Sequence, residues 1–189
     1  MRLGAALSVA VAGVLTMALG GCAGAPQAYG LQPATSRALY ARGTLTVPQP
    51  DAAPPLDSEL IVVRESGDRL SSLAGAQWVA RLTLLVQNRL IQSFENAGLA
   101  GSVRADGAPA DNKLALDIRR FDIDAPTSQA RVEISARLVA ESSGRTVAAK
   151  IFSASEPVAE IAGAAPALAL DRAFGQVSRQ IVVWAATGR

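Results

Sequence analysis

Histidine is absent from all 189 residues, and cysteine occurs once, at position 22. Without an imidazole there is no Ser-His-Asp or Cys-His catalytic set, and the commonest zinc ligand is missing. One cysteine cannot form an intrachain disulfide, so an exported form of this chain is stabilised by its core alone. Aromatic residues make up only 4% of the chain, and lysine occurs only at positions 113 and 150. Arginine supplies the remaining sixteen basic side chains, and they are dispersed rather than gathered in a stripe. With no basic face and few rings for base stacking, the composition argues against nucleic acid as a partner. Gly-x-Gly-x-x-Gly and Walker patterns are missing, as are Asp/Asn-rich calcium loops. No cofactor or metal is expected, and any nucleotide hydrolysis must belong to another chain.

What is present begins at the N-terminus. Arg2 precedes an apolar run from Leu3 to Leu19, and Gly20-Gly21 leads directly into Cys22. A positive start, a hydrophobic stretch and a small-residue cleavage site form a secretory signal. The tetrad Leu19-Gly20-Gly21-Cys22 resembles the bacterial lipobox, in which the cysteine thiol takes up a diacylglyceryl group. The other readings are an ordinary secretory signal with a coincidental cysteine, or an N-terminal membrane anchor. The run is at the lower edge of the roughly 18–20 residues a spanning helix needs. On the lipobox reading residues 1–21 are a signal peptide and Cys22 is acylated. Residues 22–43 form a tether, and residues 44–189 form one folded domain. The 168 residues left after cleavage carry 17 basic and 16 acidic side chains and suffice for one core. Within the tether, Tyr29-Gly30-Leu31 is an apolar spot that can already pair with the domain. Ala23, where an Asp would favour inner-membrane retention by enterobacterial sorting logic, points to the periplasmic face of the outer membrane. The inner membrane is the alternative.

Thr44–Val47 alternates like a strand, and Pro48, Pro50, Pro54 and Pro55 then interrupt regular structure. Leu60–Val63 reads as a strand buried on both faces, followed by a turn at Glu65–Asp68. The spacing of Val79, Leu82, Val86, Leu90 and Phe94 predicts a helix over 76–97, stopped by Gly98. A short strand is expected near 101–105. Leu114, Leu116 and Ile118 share one parity, but Phe121 and Ile123 have the other. A β-bulge around Arg119-Arg120 explains the switch, with a change of sheet environment as the alternative. Val132 to Ala140 alternates cleanly, and Ser142-Ser143-Gly144 turns the chain into a partner strand over 147–155. After a linker, Pro166 opens a second helix with a seam at Leu170, Phe174, Val177, Ile181 and Trp184, ended by Gly188. The fold class expected is α/β of the α+β kind: one domain with a mixed, largely antiparallel sheet and two long helices packed on it.

The chemistry carried by these elements is sparse. The carboxylate pairs Asp122/Asp124 and Glu65/Asp68 read as solvated, with no pocket to shift their pKa values. Ser71-Ser72 has no base beside it, since only Lys113 or Lys150 could serve. No catalytic residue is assigned. On the first helix, Leu84 and Ile91 lie on one flank of the apolar arc and Trp78 with Leu85 on the other. These four are either packed under neighbouring structure or form a partner surface. The two tryptophans, Trp78 and Trp184, are read as core anchors or interface residues.

Taken in order, several segments resemble those of the ABC-type transport auxiliary lipoprotein component family, which contains paraquat-inducible protein C. They are the lipobox with Tyr29-Gly30-Leu31; Leu60–Arg64; Gln77–Ala80 leading into Leu85–Leu90; Leu116–Phe121; and Ile181–Trp184. The chain departs from the family in two places: Ser72-Leu73-Ala74 replaces the tyrosine often found before the tryptophan, and the prolines common after it are missing. The resemblance implies a non-catalytic, lipid-anchored periplasmic subunit. It implies work beside an ABC permease and ATPase and a mammalian-cell-entry-domain protein that move lipids of the phospholipid class between the two membranes. A homo-oligomer is compatible with this reading. The competing reading is an outer-membrane assembly or envelope-scaffold lipoprotein unrelated to a transporter.

Overall fold

The computed structural model describes residues 25–37, 43–105, 107 and 109–187. In chain order the strands are β1 (Gln27–Tyr29), β2 (Leu45–Val47), β3 (Asp51–Ala52), β4 (Leu60–Arg64) and β5 (Leu70–Trp78). Helix α1 (Leu82–Phe94) comes next, then β6 (Val103–Ala105), β7 (Asn112–Asp124), β8 (Gln129–Ala140), β9 (Thr146–Pro157) and α2 (Ala165–Thr187). All nine strands join one open sheet, giving the mixed α+β architecture that the sequence predicts.

Strand β7 is the spine of that sheet. One edge pairs antiparallel with β8 over its whole length, and β8 pairs antiparallel with β9. The other edge is shared end to end by three short parallel partners: β2 at Asn112 and Lys113, β3 at Asp117 and Ile118, and β4 at Asp122–Asp124. Beyond them β6 lies parallel to β2, β5 antiparallel to β4, and β1 parallel to β5. The long ladders are antiparallel and the parallel ones are short.

The periodicity of β7 and β8 has a direct structural counterpart. Ile118 pairs with Ile134 and Arg120 with Glu133, so Arg119 is the extra residue of a bulge. That bulge keeps Leu114, Leu116, Ile118, Phe121 and Ile123 all buried despite the change of parity. From β8, Val132, Ile134, Ala136 and Leu138 enter the same core. Both helices close over this face: α2 packs on β7, β8 and β9, and α1 packs beside α2. The α2 seam Leu170, Phe174, Val177, Ile181, Trp184 is buried throughout. Phe121 bridges the layers, meeting Trp78 edge-on at 5.7 Å and Phe174 at 6.0 Å, and Phe152 meets Trp184 at 5.5 Å.

Two boundaries differ from expectation. The first helix begins at Leu82 rather than Ala76, because residues 70–78 form strand β5. Trp78 is therefore the last residue of a strand, and Val79 lies exposed outside the helical seam. The segment Leu-Ser-Ser-Leu-Ala-Gly-Ala-Gln-Trp has little intrinsic strand preference. Pairing with β4 on one side and β1 on the other overrides it. Gly75, at φ +72°, sits where the β4–β5 register breaks, a conformation that glycine adopts at low cost. The second difference is in the expected tether. Residues 27–29 pair with β5, and Leu31 is completely buried, so ordered structure reaches back to Gln27. The Tyr29–Leu31 spot does pair with the domain. Cys22 and Gly188 lie outside the described residues.

Candidate functional site

The four candidate contact residues of the sequence reading do not form one surface. Trp78 is 1% exposed and Leu85 is buried with it in the core, while Leu84 is exposed and Ile91 is partly buried on the flank of α1. The pair Trp78/Leu85 is thus corrected from possible partner surface to core. The cause is the strand at 70–78, which aims Trp78 at Phe121. Trp184 is likewise a core anchor.

The pair Asp122/Asp124 is placed differently from expectation, whereas Glu65/Asp68 lies in a solvated turn as expected. Asp122 is fully buried, not solvated, and accepts from Arg120 Nε at 3.2 Å and Nη2 at 2.6 Å, with Arg64 Nη2 at 3.5 Å. Asp124 meets Arg120 at 3.5 Å and Arg131 at 3.2 Å. Burial pushes the Asp124 carboxyl up, but Thr127 and the guanidinium groups of Arg131 and Arg120 outweigh it and hold the group below its ordinary value. Glu65 accepts from Arg69 and Ser71, and Arg64 also reaches Asp68. These carboxylates are engaged by arginine, which suits a fixed sheet face rather than proton transfer. Among the described residues no group of three or more His, Cys, Asp or Glu is placed to hold a metal ion.

A second polar set ties the N-terminal segment down. The Gln32 N–H donates to Asp171 Oδ1 at 2.7 Å, and the Ala34 N–H donates to Ser93 Oγ at 2.8 Å. Ser178 donates to Ser93 at 3.0 Å, and Ser93 donates to the Arg89 carbonyl at 2.6 Å. Burial pushes the Asp171 carboxyl up, against the Gln32 N–H and the charges of Arg172 and Arg89. The buried serines have backbone and hydroxyl partners and no base, so they act as a strap holding residues 32–34 across α1 and α2.

The surface itself offers an edge. Strand β9 pairs only with β8, leaving twelve residues unpaired along the other side among the described residues. The other terminal strands, β1 and β6, have three residues each. Val147 is 60% exposed and Ile151 52% exposed on β9, and Val183 of α2 is exposed nearby. Lys150, Phe152, Arg179, Val183 and Trp184 line an open hollow of about 470 Å³ beside this edge. An unpaired strand of this length is a template for a strand from another chain. The sequence pattern pairs β9 with β8 but does not mark its free edge. The available signal was apolar residues at both parities, Ile151 and Phe152, where one wet face requires only one.

The described residues therefore form a two-layer α+β domain with an unpaired edge and arginine-engaged carboxylates. The profile of the ABC-type transport auxiliary lipoprotein component family matches residues 29–182, and the chain belongs to that family. It is 35% identical over 145 residues to an uncharacterized protein of Bradyrhizobium diazoefficiens, an overlap of 75% of this chain. The chain spans 39% of the length of that curated relative. The crystal structure of protein XCC0632 from Xanthomonas campestris is similar at TM-score 0.75 and 30% identity, covering 87% of this chain and 94% of that one. An uncharacterized crystal structure shares the fold at TM-score 0.63 and 15% identity, covering 80% of this chain and 97% of that one. That family is one of auxiliary lipoprotein components of ABC-type transport, and it is not a known enzyme family.

Proposed function

We propose that this chain is a non-catalytic lipoprotein subunit of an ABC-type lipid transport system. Residues 1–21 are removed as a signal peptide, and the acylated Cys22 anchors the domain on the periplasmic face of the outer membrane. Its partner is a mammalian-cell-entry-domain protein working with a separate permease and ATPase, and its cargo is phospholipid. The family match over residues 29–182 carries this reading. Two structural features support it. The carboxylates are committed to arginine partners. The β9 edge, with Val147 and Ile151, offers backbone groups and apolar contacts to a partner strand, and Leu84 and Ile91 offer a second, smaller contact.

Crosslinking in intact membranes, with the candidate partner genes co-expressed, tests this. The mammalian-cell-entry-domain protein is expected as the principal adduct of the native chain. Cys22→Ser should fold and lose that adduct through mislocalisation. Recovery of an outer-membrane barrel in its place would favour the assembly-scaffold role, and an unchanged adduct from Cys22→Ser would remove the anchor from the mechanism.

A further inference from the structure

The chain between the anchor and the fold is very short. Five residue steps separate Cys22 from Gln27, the first residue of β1. Fully extended they span about 17 Å. The exit point is also rigid, because β1 is hydrogen-bonded to β5, Leu31 is buried, and the Gln32 and Ala34 N–H groups are held by Asp171 and Ser93.

The sheet register locates this exit point within the fold. Leu70, Arg64, Asp124, Gln129 and Pro157 are successive partners across five strands and form one row at one end of the sheet. Gln27 pairs with Ala76, adjacent to the level of Leu60, which is four residues or about 13 Å from that row. An anchor chain of about 17 Å reaches the row and little further. The path β1–β5–β4–β7–β8–β9 puts the β9 edge five strand spacings away, about 24 Å across the sheet.

The surface beside the exit point suits a headgroup layer. Leu60 and Val79 are exposed at the end of β5 that pairs with β1, Val79 at 58%, and Leu70 is exposed at the other end of β5. The Val79 N–H donates to the Tyr29 carbonyl at 2.8 Å, which puts it at the end of β1. The exposed cations near it are already paired, Arg69 with Glu65 and Arg81 with Asp57. Contact is thus apolar and enforced by the tether, and it is insensitive to salt.

We propose that the β1–β5 border, marked by Leu60, Leu70 and Val79, is the membrane-facing side of the domain, and that the β9 edge points away from the bilayer. The inference rests on acylation of Cys22. It adds an orientation: the edge open to a partner strand is the one the anchor cannot draw to the membrane.

The test uses the full-length acylated chain in vesicles of phosphatidylethanolamine and phosphatidylglycerol carrying headgroup-nitroxide lipid. Acylated Cys22 has no thiol, so Leu70→Cys, Val79→Cys and Ile151→Cys each accept one fluorophore. Strong quenching is expected at positions 70 and 79, little at 151, and no change at high salt. Inserting about twenty Gly/Ser residues after Gly24, which adds roughly 25 Å of reach, should reduce the quenching at 70 and 79 to the level at 151. Equal quenching at all three positions, stronger quenching at 151, or quenching that survives the insertion overturns the orientation. Mass spectrometry of the N-terminal peptide separates the two failures. An unmodified Cys22 overturns the lipoprotein reading, whereas acylated Cys22 with quenching at 151 overturns the orientation alone.

Discussion

Asp122 is the one charged side chain that is fully buried among the described residues, and its environment explains why it is tolerated. Arg120 grips it with two nitrogens and Arg64 approaches from β4, so the desolvated carboxylate is matched in charge and geometry. Removing it leaves two guanidinium groups that are only about a quarter exposed. Asp122→Ala is expected to destabilise the fold by about 2–3 kcal/mol, toward the low end for a broken buried pair because both arginines retain some water. Urea denaturation at neutral pH measures this, and a change within error would show the network to be dispensable. Asp171 behaves in the opposite sense. Its folded-state pKa is raised, chiefly by burial, so its charged form costs stability above that pKa and the cost disappears as pH falls. Asp171→Asn keeps a carbonyl acceptor for the Gln32 N–H. The variant should be modestly more stable than the native chain at pH 7, and the two should converge below the ordinary carboxylate range. Thermal melts across that range check the sign. The burial of neither residue can be read from sequence. Burial of Asp122 depends on arginines from β4 and β7, and that of Asp171 on a segment 139 residues away.

Among the elements, β7 shows how local pattern and pairing divide the work. The parity change after Ile118 is visible in the sequence, and the bulge at Arg119 is its structural cause. Two perturbations of this strand, one at the bulge and one in the regular ladder, should therefore differ widely. Arg119→Ala removes a half-exposed ion pair with Glu133 at 3.2 Å and should cost under about 1 kcal/mol. Deleting Ala115, in the regular part of the ladder opposite Arg137, should abolish cooperative folding, since the β7 side chains on one side of the gap would turn to the opposite face against β8. Circular dichroism melts of the two variants distinguish these outcomes. Strand β5 is the counter-example. Its alanines, serines and glycine match no strong period, and the apolar spacing of 79–94 invites extension of the helix back over it. Ladders on both sides make it a strand, and that information lies in β1 and β4 rather than in β5.

At the scale of the whole molecule, the N-terminal segment is part of the fold rather than a leash. Chain beginning at Gln27 should fold as stably as any longer soluble form. Chain beginning at Thr44 loses β1, the burial of Leu31 and the partners of Asp171 and Ser93. The shorter form should be at least about 3 kcal/mol less stable, measured by denaturant titration of both. Sequence alone determined the absence of histidine chemistry, the expected acylation motif, the clean alternation of β8 and the buried seam of α2. Each of these is written in residue type or in short-range period. The tertiary structure decided which strand edge stays open, that Trp78 is core, that Asp122 is buried among arginines, and that residues 27–29 pair with β5. These depend on which segments lie side by side. Strand pairing joins residues far apart in the chain, so local periodicity reports which face of a segment is buried and leaves open what covers it.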